Sequence, residues 1–251
     1  MTLPRLAAAA AAAVVALIGL PALAGETLVA VAANFTAAAE DIGTAFTAET
    51  GHTVTYSFGS TGQLYTQITQ GAPFEAFLSA DQTRPAKAAA DGLAVPGSQF
   101  TYATGKLVLW SRTAGLIDGS PAILSDATLT HVAIASPSAA PYGAAAVETM
   151  TALGLYDALK PRIVEGQSIS QTFQFVETGN APVGFVALAQ LAGRDDGSRW
   201  LVPEDLYTPI RQDAVLLTAG AGKEAAEAYL AFLKSPAAEA IITAYGYGFG
   251  G

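Results

Sequence analysis

Four short segments of the chain combine hydroxyl, amide and glycine residues in the manner of a strand-to-helix turn. They are Ala32-Ala33-Asn34-Phe35-Thr36, Gly59-Ser60-Thr61-Gly62, the run from Ser136 to Gly143 that contains Tyr142, and Gly166-Gln167-Ser168-Ile169-Ser170. Each places backbone N–H groups at the start of a helix, where the peptide dipoles leave about half a positive charge and anions bind readily. None of the four contains Lys, Arg, Asp, Glu or His. A site built from them grips an anion with neutral donors alone. That suits a ligand that must later be released, because fixed dipoles solvate a dianion without a permanent ion pair. Taken singly, a Ser, Thr or Asn in such a turn more often just caps its own helix. Four turns, two in each half of a divided fold, favour a shared site.

The elements that must hold these turns alternate strand-like and helix-like patterns. Leu28 to Ala32 reads as a strand, and the next helix runs from about Thr36 to Thr50 and stops at Gly51. Val54, Tyr56 and Phe58 alternate with Thr55 and Ser57 as a second strand, and Gln63 to Gln70 is helical. Ala76 to Ser79 is a third strand, after which Asp81 is placed to cap a helix. Lys106 to Ser111, Val132 to Ala135 and Val183 to Leu188 are apolar enough to be buried parallel strands. Helices over Ala144 to Leu153 and Ser170 to Thr178 fit between them. The alternation predicts an α/β fold with helices on both faces of its sheets. Phe100 to Trp110 and Pro209 to Leu217 are long extended stretches suited to crossing between two lobes. Lobe I would then comprise residues 25–104 and 210–251 and lobe II residues 105–209, with the ligand site in the cleft between them.

Composition narrows the setting. Residues 1–24 carry Arg5, then an apolar run from Leu6 to Leu20, then Ala22-Leu23-Ala24, the pattern of a cleaved secretory signal peptide. The apolar run is short of the roughly 20 residues that span a bilayer. Removing the segment takes away one of 12 basic residues and none of 21 acidic ones, so the mature charge is 11 minus 21, or −10. Nucleic acid is therefore not an expected partner, since it is bound by basic surfaces. A bound anion must be held by local donors against the overall field. With no cysteine, stability must come from the cores of the remaining chain of about 227 residues.

Beyond these patterns, the blocks Ala32-Ala33-Asn34-Phe35-Thr36, Ser57-Phe58-Gly59-Ser60-Thr61-Gly62, Gly71-Ala72-Pro73-Phe74-Glu75, Leu78-Ser79-Ala80-Asp81, Gly105 to Ser111, Ala140-Pro141-Tyr142-Gly143 and Gly184 to Leu188 resemble the periplasmic molybdate-binding proteins of ABC transporters. The resemblance covers essentially all of the chain after the signal. It implies a two-lobed type II periplasmic-binding-protein fold, each lobe a mainly parallel sheet flanked by helices. It further implies a monomer that captures molybdate, and tungstate as well, and delivers it to the membrane permease of an ABC importer. Carried over by position, Asn34 and Thr61 would bind the oxyanion from lobe I, and Tyr142 and the backbone N–H of Ile169 from lobe II. Ser60, in the same turn as Thr61, joins the candidate set. Relatives commonly have Ser where this chain has Asn34, some have a hydroxyl at Ala33, and some have a tyrosine at Ala187; Tyr142 stands in for that tyrosine.

No catalytic residue, cofactor or direct metal ligand is expected, molybdenum entering only as its oxyanion. His52 and His131 are far apart, with no metal-ligand spacing. The Gly246-Tyr247-Gly248-Phe249-Gly250 tail resembles a dinucleotide motif only in letters, having no helix after it. Tyr65, Trp110 and Phe185 read as core. A competing reading is an exported α/β hydrolase using an exposed serine, but Gly59-Ser60-Thr61-Gly62 is not a nucleophile elbow. A sensor subunit binding the same oxyanion is the third.

Overall fold

The computed structural model describes residues 24–249; the signal-peptide expectation otherwise lies outside the described residues. Two five-stranded sheets organise the chain, one per lobe. In order, the strands are β1 (Glu26–Ala32), β2 (Thr53–Gly59), β3 (Ala76–Leu78), β4 (Phe100–Gly105), β5 (Leu107–Ser111), β6 (Val132–Ala135), β7 (Ile163–Gly166), β8 (Val183–Ala187), β9 (Ser198–Leu201) and β10 (Ile210–Leu216). Lobe I carries the order β2-β1-β3-β10-β4 and lobe II the order β7-β6-β8-β5-β9. The chain passes between the sheets at Lys106 and again between Leu201 and Ile210.

Helices cover the sheets: α1 (Thr36–Thr50), α2 (Thr61–Thr69) and α3 (Thr83–Ala90) early in the chain; α4 (Pro141–Ala152), α5 (Tyr156–Leu159) and α6 (Ile169–Glu177) in its middle; α7 (Glu224–Phe232) and α8 (Pro236–Ala244) late. Helix α1 ends where Gly51 takes φ of 75° and its N–H closes on the Thr47 carbonyl at 3.0 Å. That is the left-handed stop glycine permits without steric cost. Among the described residues no helix is long and apolar enough to cross a membrane.

Each sheet is mixed, where the sequence pattern pointed to mainly parallel ones. Strands β1, β2 and β3 pair in parallel, as do β6, β7 and β8, whereas β10 runs antiparallel to β3 and β4, and β5 antiparallel to β8 and β9. The expectation of a parallel strand over Lys106 to Ser111 is thereby corrected. The cause is the double crossing. β5 enters lobe II from the cleft and β10 re-enters lobe I from it, so each runs against neighbours whose carboxyl ends face the cleft. An apolar run reports burial on both faces but not direction, and β5 is buried throughout.

The useful consequence is that Ala32, Gly59 and Leu78 end strands at the cleft from one side, and Ala135, Gly166 and Ala187 do so from the other. Ligands in open α/β sheets bind at such carboxyl ends. The cores beneath hold these ends in place. Phe35 and Phe46 are fully buried in lobe I, with Phe46 edge-on to Tyr229 at 5.4 Å. In lobe II Trp110 stacks on Phe173 at 5.0 Å. One apolar cluster runs across the cleft, joining Ala32, Ala33 and Ala80 of lobe I to Tyr142 and Ile169 of lobe II.

Candidate functional site

Where the two sets of strand ends meet, a small closed cavity is lined by Ala32, Ala33, Asn34, Ser60, Thr61, Ala80, Ala140, Pro141, Tyr142 and Ile169. All five residues singled out in the sequence therefore share one wall. The cavity measures about 10 Å³, too tight for a ligand to keep a shell of water inside it. No Asp, Glu, Lys, Arg or His lines it.

Its wall is made of helix starts. A 3-10 turn over Ala33–Phe35 leads into α1, Ser60 immediately precedes α2, Pro141 and Tyr142 open α4, and Ile169 opens α6. The leading N–H groups of a helix have no partner within it, so the N–H groups of Asn34 and Ile169 belong to the unsatisfied ends. Pro141 at the first position of α4 suits a site that has no use for an N–H there.

The side chains divide by what they already bond. Ser60 is 3% exposed and its hydroxyl has no hydrogen-bond partner. It sits in a capping-box arrangement with Gln63, whose Oε1 accepts the Ser60 N–H at 3.4 Å, but its hydroxyl makes no bond of hydrogen-bond geometry to the helix. A buried, unpaired hydroxyl costs about 1–3 kcal/mol. Thr61 Oγ1 accepts the Ala80 N–H at 3.0 Å, which leaves its proton to donate. Tyr142 Oη accepts weakly from Gln212 Nε2 at 3.4 Å, again leaving the proton. Burial pushes the Tyr142 hydroxyl well above its ordinary pKa, so it is a donor at any physiological pH.

Asn34 is in the wall, but its side-chain amide is engaged: Nδ2 donates to Gln212 Oε1 at 2.8 Å and to Tyr247 Oη at 3.0 Å. What it holds out to a ligand is its backbone N–H. Tyr247 Oη donates back to the Asn34 carbonyl at 2.7 Å, and Tyr102 Oη donates to Gln212 Oε1 at 3.1 Å.

Sequence reasoning passed over this supporting group. Gln212 is fully buried beside a bulge in β10, the strand returning from lobe II. The signal was present as Arg211-Gln212-Asp213, a polar stretch inside a strand that continues Ala214-Val215-Leu216. Tyr247 comes from the glycine-rich tail, set aside as letters only. Gly105 was read as part of a family block without a role. A side chain there would begin 2.0 Å from Tyr142 Oη and 2.8 Å from Gln212 Nε2, so only glycine lets that hydroxyl sit at the crossing.

Asp81 does not enter the cavity. It lines the outer cleft, pairs with Arg84 and accepts the Arg84 N–H at 2.9 Å, which serves the start of α3 as expected. His52 accepts the Gly25 N–H at 2.9 Å and stacks on Phe46, at the far end of β2 from Ser60. His131 is exposed. Neither stands near Ser60 as a base, and among the described residues no cluster of His, Asp or Glu is arranged to hold a metal ion.

Residues 27–248 match the family of bacterial extracellular solute-binding proteins. The molybdate-binding protein ModA of Rhodobacter capsulatus is 61% identical over 241 residues, covering 96% of this chain and 95% of that protein. ModA of Azotobacter vinelandii is 54% identical over 235 residues, covering 92% and 93%. The structure of the Azotobacter vinelandii periplasmic molybdate-binding protein superposes with a TM-score of 0.87 at 43% identity, covering 90% of this chain and all of that one. The chain belongs to the bacterial extracellular solute-binding proteins, in the ModA family.

Proposed function

We propose that this chain captures molybdate, and tungstate as well, as a dianion sealed in the cavity between its lobes, and delivers it to the permease of an ABC importer. The observation that carries this reading is the Ser60 hydroxyl, buried and unpaired in a cavity of helix starts with no charged lining residue. Such a wall offers donors and hardly any acceptors. Ser60, Thr61 and Tyr142 would give hydroxyl protons and Asn34 and Ile169 backbone N–H groups, three from lobe I and two from lobe II. Lobe I would span residues 25–104 and 210–251, and lobe II residues 105–209. The protein would act as a periplasmic monomer after loss of residues 1–24. A hydrolase reading finds no support, because Ser60 has neither a histidine beside it nor an elbow. The molybdate-binding names and the periplasmic setting of the relatives favour transport over sensing.

Titration calorimetry with molybdate, tungstate, sulfate and phosphate tests the assignment. Molybdate and tungstate should bind tightly at one per chain. Phosphate, which keeps a proton at neutral pH, should bind at least about tenfold more weakly, since burying an unpaired O–H costs about 1–3 kcal/mol. Phosphate binding as tight as molybdate would sink the reading.

A further inference from the structure

The cavity is bridged at its rim by contacts between residues that do not line it. Arg84 Nη2 donates across the cleft to the Ser138 carbonyl at 2.8 Å, and the Gly62 N–H donates to the Ala139 carbonyl at 2.8 Å. Both acceptors immediately precede Ala140, Pro141 and Tyr142, which line the cavity, and Gly62 directly follows Ser60 and Thr61. The guanidinium is not free to wander. Arg84 Nη1 is paired with Asp81, whose Oδ1 also accepts the Arg84 N–H at 2.9 Å and the Ser79 hydroxyl at 3.2 Å. One face of the planar fork is thus fixed within lobe I while another nitrogen reaches lobe II, a division of labour that arginine permits and lysine does not.

Gly62 belongs to the same device. A Cβ there would lie 3.0 Å from Ala139 Cα, 3.2 Å from its carbonyl oxygen and 3.2 Å from Arg84 Nη2. The backbones can approach this closely only because the position has no side chain.

We propose that Arg84, aimed by Asp81, is a positioning residue for capture. With the Gly62 N–H it latches lobe I onto the Ser138-Ala139 loop and sets how long the closed cavity holds its oxyanion. The proposal rests on the cavity being the molybdate site. It assigns Arg84 a role in release, not in attraction. The positive charge is neutralised by Asp81 at contact distance, so it adds little to the field that a distant anion feels. Because the bridge joins the two lobes, it must break before they part, so its loss should raise the dissociation rate, where affinity differences among variants usually reside.

Stopped-flow binding of molybdate to the purified chain, at two ionic strengths, tests this with Arg84→Gln and Arg84→Lys. Both should release molybdate about fivefold faster, the size expected of one partly exposed polar bridge, with unchanged association rates and unchanged melting of the ligand-free protein. Gly62→Ala should release it faster still. A slower, salt-dependent association in Arg84→Gln that Arg84→Lys restores would show a steering charge and overturn the latch. So would an unaltered release rate, or an equal drop in melting temperature with and without ligand. A wild-type chain that fails to bind molybdate overturns the cavity assignment as well, whereas normal binding with normal release in Arg84→Gln overturns the latch alone.

Discussion

Ser60→Ala separates a ligand donor from a helix cap by its effect on the empty protein. If the hydroxyl capped α2, replacing it would cost about 1 kcal/mol, or about 2–4 °C of melting temperature in a chain of this size. In the closed structure the hydroxyl bonds no protein group while 3% exposed, and when the lobes part it faces water. Ligand-free Ser60→Ala should therefore melt as wild type does. With molybdate the variant should fall behind. A hydrogen bond to a charged partner contributes about 1.5–3 kcal/mol, so affinity should fall roughly ten- to hundredfold. Thr61→Ala is the control. Its Oγ1 accepts the Ala80 N–H, so alanine strands a buried donor and both the empty protein and the complex should lose stability. Scanning calorimetry with and without molybdate, alongside titration calorimetry, reads both effects. A Ser60→Ala protein that melts lower when empty and binds with wild-type affinity would mean that the hydroxyl is a cap after all and lies outside the site.

Two further outcomes follow from the support around Tyr142. Gly105→Ala should weaken molybdate binding at least about tenfold by displacing the Tyr142 hydroxyl, and a double-mutant cycle with Tyr142→Phe should show strong coupling; additive losses would place Gly105 outside that contact. Burial raises the pKa of Tyr102, Tyr142 and Tyr229 well above the ordinary value near 10. Their folded values exceed their unfolded ones, so the stability they contribute is complete below about pH 10 and is lost as pH rises above it. Melting temperature should accordingly hold between pH 8 and about 9.5 and fall beyond pH 10, and a flat profile to pH 11.5 would contradict the burial argument.

The order of elements was legible because turn chemistry and periodicity agree at each boundary. Thr36 to Thr50 and Val132 to Ala135 stand where the pattern puts them, and helices predicted to start at Gln63, Ala144 and Ser170 begin one to three residues earlier. Those starts carry local marks that the periodicity of apolar residues does not register: Pro141 at the first position of α4, and the Ser168 hydroxyl, which accepts the Gln171 N–H at 3.3 Å at the start of α6. Strand direction at β5 was illegible, since direction is a property of where the chain comes from. Asp81, placed by the sequence to cap a helix, also pairs with Arg84 three residues later, an i to i+3 pair visible in the sequence once a helix is granted.

The site's lining was readable and its support was not, and the difference is physical. Ser60, Thr61, Tyr142 and Ile169 lie at helix starts, whose donors are unsatisfied by construction, so their chemistry follows from local pattern. Gln212, Tyr247 and Gly105 act only through partners distant in sequence: Gln212 Oε1 receives Asn34 from 178 positions away and Tyr102 from 110. Their effect is to decide which way protons point. By engaging the Asn34 amide, Gln212 and Tyr247 convert that residue from a side-chain donor to a backbone one. By donating to the Tyr142 oxygen, Gln212 also leaves its proton for the cavity. A chain with nine excess negative charges can hold a dianion only where every nearby dipole is turned positive end inward. Gln212 and Tyr247, which do not line the cavity, do that turning here, one from the strand that returns between the lobes and the other from the C-terminal tail.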